Sequence, residues 1–183
     1  KTHRNGLVIG EIKDELANRL RFFTDTGQSD DAVRQKFDLK NNRDWQLETA
    51  RQLVTFNDKN IVNYLFTPFD HRSIYYEKKL IDFARENVMK HFLLGPNIAL
   101  VLPKQVSEYE AAGAFVTQWL CDHKSFAAYN TNNVFPLYLY SDSNQPTLDG
   151  RVNRVPNLNR EIVDKIANAL GLDYMTPVGI ADY

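Results

Sequence analysis

The spacing of apolar residues changes along this chain, and each change predicts a different element. From Glu11 to about Thr24, Ile12, Leu16, Leu20 and Phe23 recur at intervals of three and four, the period of one helix face. Ser29 predicts the start of a second helix: its hydroxyl can accept from free first-turn amides, and Asp30 and Asp31 suit the positive end of the dipole. Ala32, Val33 and Phe37 then face inward. A third helix, from about Arg43 to Thr55, gathers Trp45, Leu47, Ala50 and Leu53-Val54 near one stripe. Ahead of these, Leu7-Val8-Ile9 reads as a short strand ending at Gly10. Residues 1–59 are therefore expected to form an N-terminal strand and a helical connector.

From Asn60 the pattern becomes extended. Ile61, Tyr64 and Phe66 lead into Pro68, which lacks an amide to donate to a ladder and so ends a strand or marks an edge. Ile74-Tyr75-Tyr76 restarts the extended run. A helix is predicted from about Asp82 to Phe92, then a turn at Gly95-Pro96 and a strand from Ile98 to Leu102. Ala114 to Leu120 and Val134 to Tyr140 are rich in aromatic and β-branched residues and read as further strands, expected to share one sheet. Ser141 to Gly150 has the composition of a loop. Asn159 is positioned to cap a helix from Arg160 to Leu170, with Ile162, Val163, Ile166, Ala167 and Leu170 on one face and Gly171 closing it. The tail from Asp173 to Tyr183 has no strong periodicity. The fold class is thus α+β: a helical lead-in, a central mixed or antiparallel sheet and a closing helix, with residues 60–183 as the sheet-containing core.

Composition narrows the function classes. Aromatic content of 12% and hydrophobic content of 43% are too high for a disordered chain, and no apolar run approaches the roughly 20 residues of a membrane-spanning helix. The 183 residues begin at Lys1 with no apolar leader behind it, so the chain is expected to be a piece of a longer cytoplasmic polypeptide. A single cysteine, Cys121, excludes an internal disulfide framework. Cys121 and His123 are too few for a structural zinc site, which needs four ligands; the thiol is expected to be partly buried beside a turn. The formal net charge of −1 gives no overall basic character, although Lys124, Arg151, Arg154 and Arg160 outnumber Asp142 and Asp149 between residues 124 and 160.

Catalytic signatures are sparse. There is no glycine-rich cofactor loop, no Asn/Asp-Pro-Pro-aromatic tetrapeptide and no Gly-x-x-x-x-Gly-Lys-Ser/Thr phosphate loop. Asp70 with Glu77-Lys78-Lys79 imitates the acid, acid-x-Lys pattern of magnesium nucleases, in which two carboxylates hold the metal and the lysine positions water. Acid-x-Lys also occurs at Glu11-Ile12-Lys13 and Asp38-Leu39-Lys40, so the pattern has little specificity. Asp70 and Arg72 are expected instead to form an ion pair or turn cap. His3, His71, His91 and His123 are scattered and read as structural or surface residues, and Phe135, Tyr138 and Tyr140 as a core face.

A series of blocks carries a family resemblance. Thr2-His3-Arg4-Asn5 is similar to a Thr-Gly-Arg-Asp element, with Asn5 standing where relatives carry an acid. Asn42-Arg43-Asp44-Trp45 with Ala50-Arg51, then Phe66-Thr67-Pro68-Phe69-Asp70-His71-Arg72 running to Ile74-Tyr75-Tyr76, follow in order. Asp82-Phe83-Ala84-Arg85 keeps the second arginine of an Arg-Pro-Arg element, and Glu86 to His91 matches the block after it. Asn97 to Leu102, Pro103-Lys104-Gln105, Phe115-Val116-Thr117, Cys121-Asp122-His123 and Phe135 to Tyr140 complete the series, which ends near Gly171. In this order and spacing the blocks resemble the C-terminal specificity region of type ISP restriction-modification enzymes, bacterial phage-defence proteins that join DNA translocase, nuclease and adenine methyltransferase in one chain.

The resemblance implies a non-catalytic target recognition domain for double-stranded DNA, which brings an adenine to a methyltransferase domain of the same polypeptide. S-adenosylmethionine, ATP and magnesium belong to that parent, and no cofactor or metal is expected here. On this reading the amide-rich stretches around the last strand are the candidates for base reading: Asn130, Asn132, Asn133, Asn144, Gln145 and Asn153, because Asn or Gln can pair with adenine N6 and N7, with Arg151 and Arg154, because Arg can pair with guanine O6 and N7. Lys104, Lys124 and Arg160 suit phosphates, which position a protein without specifying sequence. The rival expectations are a scaffold module that docks on the methyltransferase and meets DNA only through phosphates, and a magnesium nuclease using Asp70, Glu77 and Lys79.

Overall fold

A computed structural model of the chain describes residues 2–105, 113–126, 131–141 and 154–171. The described elements begin with α1 (Asn5–Val8), β1 (Ile9–Gly10), α2 (Lys13–Thr24), α3 (Asp30–Phe37), α4 (Leu47–Leu53), a 3-10 turn at Asp58–Asn60, β2 (Ile61–Thr67) and β3 (Asp70–Tyr75). They continue with α5 (Glu86–Leu93), β4 (Ala99–Pro103), β5 (Phe115–Thr117), β6 (Leu120–Cys121), β7 (Asn132–Pro136), β8 (Tyr138–Tyr140), β9 (Arg154–Pro156) and α6 (Arg160–Leu170). Contacts group the chain into two compact units, Lys1–Arg85 with Leu120–Tyr129, and Glu86–Trp119 with Asn130–Tyr183. Within the first of these units α2 packs against β2 and β3. No helix among the described residues is long and apolar enough to cross a membrane.

The first unit folds its helices onto a four-stranded mixed sheet of order β1-β3-β2-β6, in which β2 and β6 run parallel and the other pairs antiparallel. Leu7, Leu16, Leu20, Phe23, Val33, Leu47, Tyr75 and Leu80 are fully buried in it. Two arginines fasten the loops around this core. Arg51 of α4 donates from Nε to Phe23 O at 2.9 Å and from Nη2 to Gln28 O at 2.9 Å, and pairs with Asp30 at the start of α3. Arg4, itself buried, donates to Leu80 O at 2.9 Å, pairs with Asp82 and lies 4.3 Å from the Trp45 ring centroid. Trp45 Nε1 in turn donates to Lys79 O at 2.8 Å, so residues 79–82 are held from two sides.

The second unit holds an antiparallel sheet β5-β4-β7 and an antiparallel ribbon β8-β9. Buried Asn97 joins its parts: Nδ2 donates to His91 O at 2.9 Å and Tyr138 O at 2.8 Å, while Oδ1 accepts from Tyr138 N at 3.0 Å. His91 is also buried, and its Nδ1 accepts from Tyr140 N at 3.0 Å. The α+β class, the helical lead-in and the closing helix all stand as expected from sequence. So do the caps of α6, where Asn159 Oδ1 accepts from Ile162 N and Gly171 takes φ 64°.

Several local expectations are corrected. Leu7-Val8 closes a helical turn rather than a strand, because both amides bond the carbonyl of the anchored Arg4 at 2.9 and 3.0 Å. Ile12 precedes α2 as its N-cap and is exposed, and Ala32 is exposed as well. The third helix starts only at Leu47, since Asn42 Oδ1 accepts from the amides of Asp44 and Trp45, and Asn41 Oδ1 from Leu47 N, each at 2.9 Å. Side-chain oxygens there take the amides that a longer helix would use. The helix expected from Asp82 starts at Glu86, after Arg85 takes the left-handed φ of 55°. β3 begins at Asp70 rather than Ile74.

The single sheet expected to hold all the strands is not formed. Residues 115–121 split into β5 and β6, broken where Thr117 Oγ1 accepts from Trp119 N at 3.1 Å, and residues 132–140 split at Pro136-Leu137. The halves join different sheets. On α6 Ala167 is buried, but Ile162, Ile166 and Leu170 are 56%, 52% and 65% exposed, so the apolar stripe that predicts the helix is open along most of its length. Of the loop expected from Ser141 to Gly150, residues 142–150 lie outside the described residues, as does the tail after Gly171.

Candidate nucleic-acid interface

The proposed site residues fall in both units. In the second unit, Lys104 follows β4, and its amide donates to Thr131 O at 2.8 Å, which extends the β4–β7 ladder by one step. Asn132 and Asn133 stand on β7 opposite Pro103 and Leu102, so they belong to a strand rather than to a loop. Neighbours along a strand face opposite ways. Asn133 shares the side of Leu100, Val116 and Phe135, which lie directly across from one another and are all exposed. Asn132 shares the side of the buried Ala99 and Val101. Lys104, Asn132 and Asn133 are thus brought to one end of the sheet.

Arg154 opens β9 opposite Tyr140. Its guanidinium carbon lies 3.8 Å from the Tyr138 ring centroid, and Nη1 is 3.4 Å from the Tyr140 hydroxyl. That hydroxyl donates to Pro96 O, so the arginine rests on a platform of two buried tyrosines. Tyr138 and Tyr140 are core residues, as expected, whereas Phe135 of the same block is exposed. Arg160 sits in the first turn of α6, largely in solvent, with Asp164 3.8 Å away. Asn130, Asn144, Gln145, Arg151 and Asn153 lie outside the described residues.

In the first unit, Lys124 belongs to a turn built on β2. Asp122 N and Ser125 Oγ both donate to Leu65 O at 2.9 Å, and Lys124 N donates to Asp122 Oδ1 at 3.0 Å. Asp122 also accepts from the Tyr64 hydroxyl at 2.7 Å. Burial, and after it the Asp122 charge, raises the Tyr64 pKa and pushes the Cys121 thiol up to about 12. Cys121 is therefore a protonated core residue beside a turn.

The same end of β2 carries a feature that apolar patterning missed. The β2–β3 ladder skips Phe66 between Leu65 and Thr67, and Pro68-Phe69 then form a two-residue turn with Thr67 opposite Asp70. Phe69 has φ 67° and is 97% exposed. A left-handed conformation costs a non-glycine residue roughly 1–2 kcal/mol, and here no burial offsets it. The turn is braced from behind. Arg72 Nε and Nη2 meet both carboxylate oxygens of Asp70 at 2.7 to 3.1 Å, and its guanidinium lies 4.2 Å from the Phe66 ring centroid. Hydrogen bonding from Arg72 holds the Asp70 carboxyl below its ordinary pKa. The ion pair expected for Asp70 and Arg72 is present. The available sequence signal for the turn was Pro-Phe-Asp between two extended runs.

The magnesium-site pattern is not assembled. Asp70 is engaged by Arg72, Glu77 Oε1 accepts from Lys79 N at 3.1 Å, and no three metal-binding side chains converge among the described residues.

Comparisons with known proteins agree with the family resemblance. Over 96% of this chain the fold is similar to part of DrdV, determined as a complex with DNA, at TM-score 0.68 and 18% identity, covering 17% of that chain. It is similar to part of LlaBIII, an ATP-dependent type ISP restriction-modification enzyme bound to DNA, at TM-score 0.68 and 17% identity, over 92% of this chain and 11% of that one. A nuclease-deletion mutant of the type ISP enzyme LlaGI, in complex with a DNA substrate mimic, matches at TM-score 0.59 and 14% identity, over 93% of this chain and 17% of the other. The chain therefore spans less than a fifth of the length of each of these proteins. No curated protein matches it. The model of the type ISP C-terminal specificity domain matches residues 1–183 from end to end, and the chain belongs to that family.

Proposed function

We propose that this chain selects the DNA sequence on which a larger restriction-modification enzyme acts, presenting an adenine to a methyltransferase domain of the same polypeptide. The observation that carries this reading is the family match across the whole chain. In the proposal Arg154 and Asn133, with Asn130, Asn132, Asn144, Gln145, Arg151 and Asn153, read base edges, while Lys104, Lys124 and Arg160 hold phosphates. The chain itself contributes recognition, and S-adenosylmethionine, ATP and magnesium are assigned to the rest of the enzyme, in the bacterial cytoplasm.

The geometry supports a division of labour. Arg154 is exposed yet seated on an aromatic platform, which limits the freedom its side chain would lose on pairing with a base. Lys104, Lys124 and Arg160 are exposed at the ends of elements, where a phosphate can be met without a base. The docking role in a scaffold reading is favoured by one observation, the exposed apolar row Val116, Leu100 and Phe135. The two roles are compatible.

Methylation-sensitive sequencing of DNA from cells expressing the full-length polypeptide tests the proposal. One defined asymmetric motif is the expected result, and binding to it should weaken steeply with added salt as phosphate contacts release counterions. Methylation without a motif, or none, would remove the recognition reading.

A further inference from the structure

We propose that the tip of the β2–β3 hairpin is a DNA wedge, in which Phe69 inserts between two stacked base pairs while Lys124 meets a flanking phosphate. The inference rests on the DNA-recognition reading above and adds a site to it.

Three departures from regular structure meet within four residues of this hairpin. Phe66 is left out of the ladder, Pro68 fixes the first corner of the turn, and Phe69 takes a positive φ at the second. Glycine or asparagine is the usual residue there, because neither pays the full cost of a Cβ in the left-handed region. Bulges and strained backbone gather where a side chain has to be aimed. The aimed side chain is an almost fully exposed phenyl ring. Phe23 is buried, Phe22 meets Phe37 edge-on, Phe56 stacks on Tyr75 and Phe66 lies under Arg72, while Phe83, 54% exposed, has the Arg85 guanidinium 5.9 Å from its ring centroid; Phe69 is more exposed than any of them.

A wedge has to be stiff, and this one is backed by charge-assisted bonds. The bidentate Asp70–Arg72 pair closes the base of the turn, and its mutual neutralisation keeps the carboxylate from repelling a phosphate. Lys124 supplies an exposed cation at the correct end. Its turn is bonded to Leu65, two residues before the last residue of β2 and hence about 7 Å along the strand from it. Apolar side chains inserted at a base step unstack it and kink the duplex, and a phenyl ring can stack on whichever base is exposed. Duplex DNA thus accounts for exposure, stiffness and adjacent charge together.

Duplexes are selected from a random pool by the full-length polypeptide, and 2-aminopurine then replaces each adenine in turn, flanks included. The adenine presented to the methyltransferase leaves the stack and brightens in any case, so the wedge is read as brightening at one further step. Phe69→Asn, which tolerates the left-handed φ and leaves the melting temperature unchanged or higher, should abolish that signal and weaken binding about tenfold. Phe69→Leu should retain most of both. A selected duplex that brightens nowhere but at the adenine presented for methylation, or a Phe69→Asn protein that keeps the further signal and affinity, would sink the wedge and leave recognition standing. Failure to enrich any duplex would remove the recognition reading and the wedge with it. A Phe69→Asn protein unchanged on DNA but shifted in oligomeric mass would assign the tip to a protein contact and overturn the proposal.

Discussion

Arg154 and Lys124 carry the same charge in different settings, and the settings decide what each can do. Arg154 lies on the ring of Tyr138, so its approach to a groove is constrained by the ribbon beneath it. Lys124 stands on an exposed turn and offers a point charge. In the full-length polypeptide Arg154→Ala should cost about 1 to 3 kcal/mol of binding and relax one position of the recognised motif, with Arg154→Lys no substitute because it lacks the planar, stacked guanidinium. Lys124→Ala should weaken binding to every duplex alike and reduce the salt slope by about one. Titrations against duplexes bearing single base changes distinguish the two. Equal loss on all duplexes for Arg154→Ala would move it to the phosphate class.

Among the elements, the short connection from α5 to β4 packs directly against the β8–β9 ribbon. Asn97 and His91 tie the helix to β8 by hydrogen bonds, and Gly95 passes directly against Tyr140. A Cβ at residue 95 would lie 2.6 to 2.8 Å from the Tyr140 ring and hydroxyl, well inside van der Waals contact. The ring cannot swing away, since Tyr140 is buried and its hydroxyl is bonded to Pro96 O. Gly95→Ala should therefore destabilise the chain by about 1 to 3 kcal/mol, and by much less in a Tyr140→Ala background. Denaturant titration of the four proteins measures this, and additive losses would mean that the contact is not the cause. Because Arg154 stands on Tyr138 and Tyr140, the same contact supports the position of a proposed base reader.

For the chain as a whole, burial of Cys121 reports the long-range pairing of β6 with β2. Its pKa is about 12 when folded, against about 8.5 in an unfolded chain. Between those values the unfolded chain has released a proton that the folded chain still holds, so rising pH favours unfolding. Unfolding free energy should fall above about pH 8.5 with a slope approaching 1.4 kcal/mol per pH unit, and Cys121→Ala should lose that slope. Measurements from pH 8 to 9.5 stay below the ordinary tyrosine range of about 10, where Tyr64 would act in the same direction. A slope unchanged by the substitution would show that β6 does not enclose the thiol.

What the sequence determined by itself is what neighbouring residues decide together. α6 was legible at both ends because Asn159 and Gly171 act on amides and carbonyls a few bonds away, and α2 and α3 were legible from their period and from Ser29. The order of blocks was enough to place the family, since it needs no coordinates. Tertiary structure decided sheet membership: Leu120-Cys121 follows β5 in sequence yet pairs with β2, because ladder partners are chosen by the packing of distant segments. It also put Asn132 and Asn133 on opposite faces of a strand, seated Arg154 on Tyr138, and left Ile162, Ile166 and Leu170 open on a helix whose stripe promised burial. An apolar period says which residues share a face, and only the fold says whether anything covers it. Phe69 is the clearest case: its residue type favours the core, but the backbone closing between Thr67 and Asp70 turns it out into solvent.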